Sequence, residues 1–142
     1  MTDQAGRPLG LRSALDPDEW QWPGGNADPG QTPFETAVRE FAEETGHNFA
    51  ELQPGLFADP RLLAVLYHRP VADWPCGKIG LVFDGGRMTD EQLAGIRLSD
   101  EHTEWRIASL PSWRALTQNG RYTTITIADR ARRAGESAYL EL

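Results

Sequence analysis

The chain has 142 residues, of which 39% are hydrophobic and 25% charged, as is typical of one soluble globular domain with a substantial core. Its formal net charge of −7 argues against non-specific binding to nucleic acid or to an anionic membrane, and no apolar run reaches membrane-spanning length. Cys76 is the single cysteine, so no intramolecular disulfide can form, and we expect a cytoplasmic location.

The first elements predicted along the chain are two short strands and a long helix. The strands lie at Leu9–Ser13 and at residues 20–22, and a turn at residues 16–18 separates them. The helix is expected to follow Thr32, which matches a capping box, and to end before Gly46, a residue suited to a left-handed stop. Apolar residues recur between these ends at helical spacing and predict a face that packs on the core.

The second half of the chain alternates between strand and helix signals. Branched and aromatic residues predict strands at residues 61–68, 78–84 and 104–108, with a loop at residues 69–77. Helices are predicted after Thr89 to residue 96, at Leu110–Leu116 and at residues 122–133, before an extended tail at residues 139–142. This order predicts one α/β domain with a mixed sheet over residues 1–142.

Three glutamates share one face of the predicted long helix. Glu40, Glu43 and Glu44 stand at i, i+3 and i+4, so their side chains project together, away from the apolar face. Their carboxylates repel one another unless a positive group lies among them, and hard oxygen ligands suit Mg²⁺ or Mn²⁺. Considered alone, the same pattern is more typical of a solvated acidic helix face.

The residues around this face resemble the Nudix box, G-x5-E-x7-R-E-U-x-E-E-x-G-U, in which U is a bulky apolar residue. The positions that match are Gly25, Arg39, Glu40, Phe41, Glu43, Glu44 and Gly46, whereas Gln31 and His47 depart from the pattern. The resemblance implies a Nudix-type α/β/α sandwich. It also implies an enzyme that uses Mg²⁺ or Mn²⁺ to hydrolyse a nucleoside diphosphate linked to another group X. The expected partner is a small nucleotide-type substrate, with a nucleoside triphosphate as the default.

The resemblance also implies roles for individual residues. Glu43 and Glu44 are expected to be metal ligands, and Glu40 a ligand that also handles the proton of the attacking water. The backbone carbonyl of Gly24 would supply one more oxygen. Arg39 is expected to orient the neighbouring carboxylates, and we include it among the catalytic and substrate-binding candidates.

Some Nudix enzymes recruit another acidic residue from a distant loop. Residues 99–104 are the candidate loop here, with Glu101 nominated first, then Glu104, and with Asp100 also open. An ordinary acidic loop is an equal alternative. His102 and His47 could act as acid or base near neutral pH, but we predict that both are merely exposed.

Aromatic residues are the candidates for contact with a nucleobase. Trp74, in the predicted loop between two strands, is the best substrate-binding candidate because an exposed indole can stack on a base. Tyr67 and Phe83 fall in predicted strands and are expected in the core.

The chain start differs from the Nudix pattern. A turn at residues 3–7 follows Met1 and Thr2 directly, where the family has an apolar opening strand. Either the true N-terminus lies upstream of Met1, or the sheet loses a strand. A lost strand leaves an unpaired edge that favours pairing with another chain, so a homodimer is a further expectation.

Gln31 is the departure that bears most on activity, because the family has glutamate there. Glutamine keeps the shape and one acceptor oxygen but loses a negative charge. An altered charge-assisted hydrogen bond costs about 1–3 kcal/mol, which predicts a slowed hydrolase. The alternative is a weakly active or non-catalytic Nudix module that binds a nucleotide or metabolite.

Overall fold

The computed structural model describes residues 1–72 and 75–142. The helices are α1 (Pro33–Thr45), α2 (Phe49–Leu52), α3 (Pro54–Ala58), α4 (Asp90–Ala94), α5 (Leu110–Leu116) and α6 (Asn119–Ala134). The strands are β1 (Thr2–Asp3), β2 (Leu9–Ser13), β3 (Trp20–Gln21), β4 (Leu62–His68), β5 (Lys78–Phe83), β6 (Arg87–Met88), β7 (His102–Ile107) and β8 (Ala138–Glu141). No helix in these two ranges is both long enough and apolar enough to cross a membrane.

The strands of the described residues pair in three small sheets. Strand β2 lies between β3 and β7 and is antiparallel to both. Strand β4 pairs antiparallel with β5 and parallel with β8, which makes this sheet mixed, as predicted. Strands β1 and β6 form a short parallel pair.

Most predicted elements are present with small shifts at their ends. The bounds of β2 and α5 are those predicted, and α6 begins three residues earlier than expected. Helices α2 and α3 were not predicted. Strand β1 is a correction, because two residues form a strand before the first turn, where the sequence indicated none. The homodimer inferred from a missing strand stays a prediction.

Local interactions at both ends fix the position of α1. The Thr32 side chain accepts a hydrogen bond from the Glu35 backbone N–H, and the Glu35 carboxylate accepts one from the Thr32 N–H, so the predicted capping box is present. At the other end, Gly46 adopts φ +72° and its N–H bonds the carbonyl of Ala42. The helix therefore spans a fixed set of residues and keeps its glutamates in a set orientation.

The apolar face of α1 packs on β2 and on neighbouring short helices. Phe41 joins a buried cluster with Leu9, Leu11 and Phe49, and the rings of Phe41 and Phe49 meet edge to face with centroids 5.9 Å apart. A second cluster joins α6 to β4. Burial of the apolar face turns the opposite, acidic face of α1 toward the loop that follows β3.

Trp113 of α5 joins α5 to the sheet of β2 and β3. Its ring is fully buried, contacts Trp20 and Trp22 edge to face at 5.2 Å in each case, and donates a hydrogen bond from Nε1 to the Pro8 carbonyl at 3.2 Å. A Cβ on Gly10 would lie 2.6 Å from Cη2 of Trp113, so only glycine fits beneath the ring. Because Trp22 immediately precedes the loop over α1, this packing also fixes where the loop begins.

A cleft of about 570 Å³ opens between the two three-stranded sheets. The free edge of β5 lines one wall, and Gln21, Trp22 and the loop that follows them line another. Residues of α1 and α6 complete the lining. The cleft therefore ends against the loop that packs on the acidic face of α1.

We predict that Trp113→Ala destabilises the protein by about 3–5 kcal/mol, because it removes a fully buried indole and leaves a cavity between α5 and β2. Urea denaturation measures the change. Leu15→Ala is the matched control, since the Leu15 side chain is 97% exposed, and its effect should stay within about 0.5 kcal/mol. Equal effects of the two substitutions would contradict the assigned role of Trp113.

Candidate metal centre

The loop after β3 packs directly on the glutamate face of α1. The backbone N–H of Gly24 donates a hydrogen bond to Oε2 of Glu44 at 2.9 Å. A Cβ on Gly25 would lie 2.3 Å from Oε1 of Glu40, so a larger residue would displace that carboxylate. Gly25 therefore lets the backbone approach a carboxylate that a side chain would keep at a distance, whereas a Cβ on Gly24 would meet no atom within 4 Å.

Arg39 binds two of the three carboxylates. Its Nη1 donates to Glu43 Oε2 and its Nη2 to Glu40 Oε1, both at 2.8 Å. Nη2 also donates to the carbonyl of Asn26 at 3.1 Å, which ties the loop to the helix. The guanidinium thus offsets the repulsion between the glutamates and orients two of them, as expected for Arg39.

Gln31 occupies the position where the family motif has glutamate, and its amide oxygen is fully used. Oε1 accepts hydrogen bonds from the Asp28 N–H at 3.2 Å and from Thr36 Oγ1 and Arg39 Nε at 3.3 Å. A carboxylate oxygen could accept the same three bonds. The departure therefore keeps the hydrogen-bond arrangement and removes a negative charge beside Arg39.

Glu44 is the buried member of the carboxylate set. Its side chain is 5% exposed, and burial raises its pKa to about 8, against the opposing effect of the Gly24 N–H. The charges of Glu40, Glu101 and Glu43 raise the pKa further. Burial is the largest cause of the shift, so the protonated form of Glu44 is favoured when no cation is bound.

The prediction that His102 is exposed was wrong. Its side chain is only 2% exposed, and Nε2 lies 3.7 Å from Oε1 of Glu44. Burial lowers the pKa of His102, and the negative charge of Glu101 opposes that change. His102 opens β7 opposite Ser13 of β2, but the pairing register shifts between Arg12 and Ser13, so alternation along the predicted strand would not have placed His102 inside.

The other predicted acidic residues differ in their surroundings. Glu101 is exposed, close enough to Glu44 to raise its pKa. Glu104 pairs with Arg106 at 2.9 Å and with Arg12 at 3.4 Å. Asp100 is exposed beside Glu101. Of these acidic residues, Glu101 is the one whose charge acts on Glu44. Glu104 is instead paired with two arginines.

The predicted base-stacking residue, Trp74, lies outside the described residues. Within them, Trp22 lines the cleft, and Lys78 lies at its mouth, where Nζ donates to Oδ1 of Asn26 at 3.0 Å. Tyr67 and Phe83 are half-buried in their strands. Sequence reasoning missed Lys78, whose position at the start of β5 carries no motif.

The donor chemistry fits a divalent cation, although the side chains need to rotate to reach one. Among residues 1–72 and 75–142, no group of three or more His, Cys, Asp or Glu side chains is arranged to hold a metal ion. Arg39 engages Glu40 and Glu43 in this arrangement. The carboxylate oxygens of these glutamates are nevertheless the donors that hard divalent ions prefer.

An α/β domain with a glycine loop against a glutamate-bearing helix defines the class as the Nudix fold. The family profile for the NUDIX domain matches residues 1–127, and the chain therefore belongs to the Nudix family. Enzymes of this family generally use divalent metal ions.

Solved structures show the same fold at low sequence identity. The MutT protein of Methanosarcina mazei superposes with a TM-score of 0.67 at 23% identity, covering 96% of this chain and 90% of that protein. The E. coli dihydroneopterin triphosphate pyrophosphohydrolase gives 0.62 at 20% identity, covering 87% and 86% of the two chains. The C. elegans Ap4A hydrolase gives 0.60 at 20% identity, covering 89% and 83%.

A curated relative matches over a shorter stretch. A Bacillus subtilis protein named "Putative 8-oxo-dGTP diphosphatase" is 46% identical over 43 residues. That match covers 30% of this chain and 29% of the relative, so it spans less than a third of the relative's length.

The raised pKa of Glu44 predicts a pH-dependent stability without metal. The folded state retains a proton on Glu44 that the unfolded state releases near its ordinary pKa of 4.5, so this contribution is complete below about pH 4.5 and is lost as the pH rises through about 8. In buffer with EDTA, the free energy of unfolding should therefore fall over this range, and Glu44→Gln should remove that part of the fall. Urea titrations at several pH values test this. The same substitution at Glu91, an exposed carboxylate of α4, is the control and should leave the dependence in place.

Proposed function

We propose that this protein is a divalent-metal-dependent hydrolase that cleaves a phosphoanhydride bond in a nucleoside diphosphate linked to another group X. The observation that carries the proposal is the packing of the glycine loop on the glutamate face of α1, where the Gly24 N–H bonds the buried Glu44 and Gly25 lies against Glu40. This places several carboxylate oxygens and a backbone carbonyl close together, and hard divalent cations prefer such donors. Membership of the Nudix family supports the same reaction class.

The metal would be held by Glu40, Glu43 and Glu44 with the backbone carbonyl of Gly24, and Mg²⁺ or Mn²⁺ suits this oxygen donor set. When bound, it supplies Lewis acidity toward the phosphoanhydride and acidifies a coordinated water.

Arg39 and Glu40 then act on the reacting groups. Glu40 would accept the proton of the attacking water, because its carboxylate lies against Gly25 of the glycine loop, and that loop lines the cleft. Arg39 bridges Glu40 and Glu43 in this structure and would be available to contact substrate phosphate if those carboxylates held the metal. Glu101 contributes negative charge near Glu44 and is the candidate for an assisting acid.

The cleft suits a nucleotide-type substrate. Its volume of about 570 Å³ lies in the range of small-molecule sites, and Trp22 offers an aromatic surface in its lining. Lys78 adds positive charge beside the glycine loop, where substrate phosphates would lie. A nucleoside triphosphate is the first candidate, and the name of the B. subtilis relative, "Putative 8-oxo-dGTP diphosphatase", supports that choice.

A nucleotide panel assayed with Mg²⁺ and with Mn²⁺ for release of phosphate or pyrophosphate tests the proposal. We expect turnover of at least one member of the panel, and Glu44→Gln should lower it about a hundredfold or more because a metal ligand is lost. Glu91→Gln, which changes an exposed carboxylate in α4, is the control and should keep full activity. Tight nucleotide binding without turnover would favour the alternative, a non-catalytic binding module.

Gln31→Glu should raise activity by about one order of magnitude or lower the metal concentration required. The added carboxylate would accept the three hydrogen bonds that Gln31 Oε1 now accepts and would attract Arg39 more strongly, which weakens its hold on Glu40 and Glu43.

Initial rates measured against metal concentration report both effects of Gln31→Glu. Gln92→Glu is the matched control, because the Gln92 side chain caps α4 and accepts its hydrogen bond from the Thr89 N–H of that cap. An unchanged rate and an unchanged metal requirement for Gln31→Glu would refute the idea of a weakened site.

A further inference from the structure

His102 is a buried side chain that lies beside the carboxylate set without a hydrogen-bond partner of its own. Its ring is 2% exposed, and its Nδ1 is buried with no partner. A buried polar atom without a partner is uncommon, since it loses the hydrogen bond that water would supply. The side chain therefore needs an explanation that packing alone does not give.

The nitrogen that faces the carboxylate set is the other ring nitrogen, Nε2, and its neighbour there is an oxygen of Glu44. Nε2 lies 3.7 Å from Glu44 Oε1, which is too long for a hydrogen bond. The other carboxylate oxygen, Oε2, is already engaged by the Gly24 N–H. Ligand atoms about 2.0–2.2 Å from one metal ion lie roughly 3–4 Å from each other, so this separation accommodates a shared ion.

Backbone contacts hold His102 at this place. Its N–H donates to the carbonyl of Ser99 at 3.2 Å, and it pairs with Ser13 across β2 and β7. Glu44 is held by α1 and by the loop after β3. The two side chains thus approach each other from separate elements, and their relative position is set by the fold.

We infer that His102 Nε2 is a nitrogen ligand that shares the divalent cation with Glu44. The inference rests on the proposed function and adds a ligand of another chemical type to its oxygen donors. Imidazole nitrogen suits transition metals, whereas Mg²⁺ prefers oxygen. The centre therefore favours Mn²⁺ over Mg²⁺ by more than a set of carboxylates alone would.

Metal binding without nucleotide provides the test. Calorimetric titration of Mn²⁺ and of Mg²⁺ compares wild type, His102→Gln and His47→Gln. The His47 ring bonds the Gln92 carbonyl at 2.8 Å, so this control removes an imidazole that faces another partner. We expect His102→Gln to weaken Mn²⁺ binding tenfold or more and Mg²⁺ binding less than threefold, with His47→Gln unchanged for both.

Pulsed electron paramagnetic resonance on wild-type protein loaded with Mn²⁺ gives a direct readout that needs no variant. A ¹⁴N coupling to the bound Mn²⁺ is expected, and it should persist in His47→Gln and disappear in His102→Gln. Bound Mn²⁺ without that coupling overturns the inference, as does an equal loss of Mn²⁺ and Mg²⁺ affinity in His102→Gln, which would indicate a positioning role. Failure of Mn²⁺ to bind the wild type overturns it as well.

The two proposals fail in different ways. Nucleotide hydrolysis by a protein whose bound Mn²⁺ shows no nitrogen coupling defeats only the assignment of His102. A nitrogen-coupled Mn²⁺ in a protein that turns over no nucleotide defeats only the proposed hydrolysis.

Discussion

The repulsion among three carboxylates on one helical face is the constraint around which this site is built. For Glu40 and Glu43, Arg39 offsets the repulsion by bridging the two carboxylates. For Glu44, burial reduces the repulsion because it favours the protonated, uncharged form. Without a cation, the site is therefore held by one guanidinium and one proton. The proposed divalent ion would take over the role of both groups, since it would supply the positive charge that the carboxylates need.

Two segments that flank β2 in the sheet reach α1 and form this arrangement. The glycine loop reaches the helix from β3, and the start of β7 reaches it from the other side of β2. Because β2 pairs with both strands, one sheet fixes the loop and His102 relative to each other. The cleft then ends at the place where these elements meet the acidic face.

The parts of the fold that could be predicted from the sequence are those determined by residues close together in the chain. Helix α1 was predicted with its cap and its stop because Thr32, Glu35 and Gly46 act within a few residues of the helix they delimit. Helices α2 and α3 were missed because four or five residues show no helical period, although Asn48 caps the first and Pro54 opens the second. Strands β1 and β6 are two residues each and exist through pairing between distant parts of the chain.

The burial of His102 could not be predicted from its sequence neighbours, because it too depends on pairing between distant strands. A histidine between Glu101 and Thr103 has polar neighbours in sequence, and its position inside follows from the pairing of β7 with β2. The Nudix box likewise identified Glu40, Glu43 and Glu44 but gave no information about the partners of each carboxylate. Those partners depend on the loop conformation and on Arg39.

The tryptophan cluster has a consequence for observing this site. Trp22 stands two residues before Gly24, contacts Trp113 at 5.2 Å and donates from Nε1 to the Arg121 carbonyl at 3.2 Å. Any displacement of the glycine loop therefore alters the surroundings of an indole that is already half-buried. The chain carries an intrinsic fluorophore at the start of the loop that packs on the glutamates of α1.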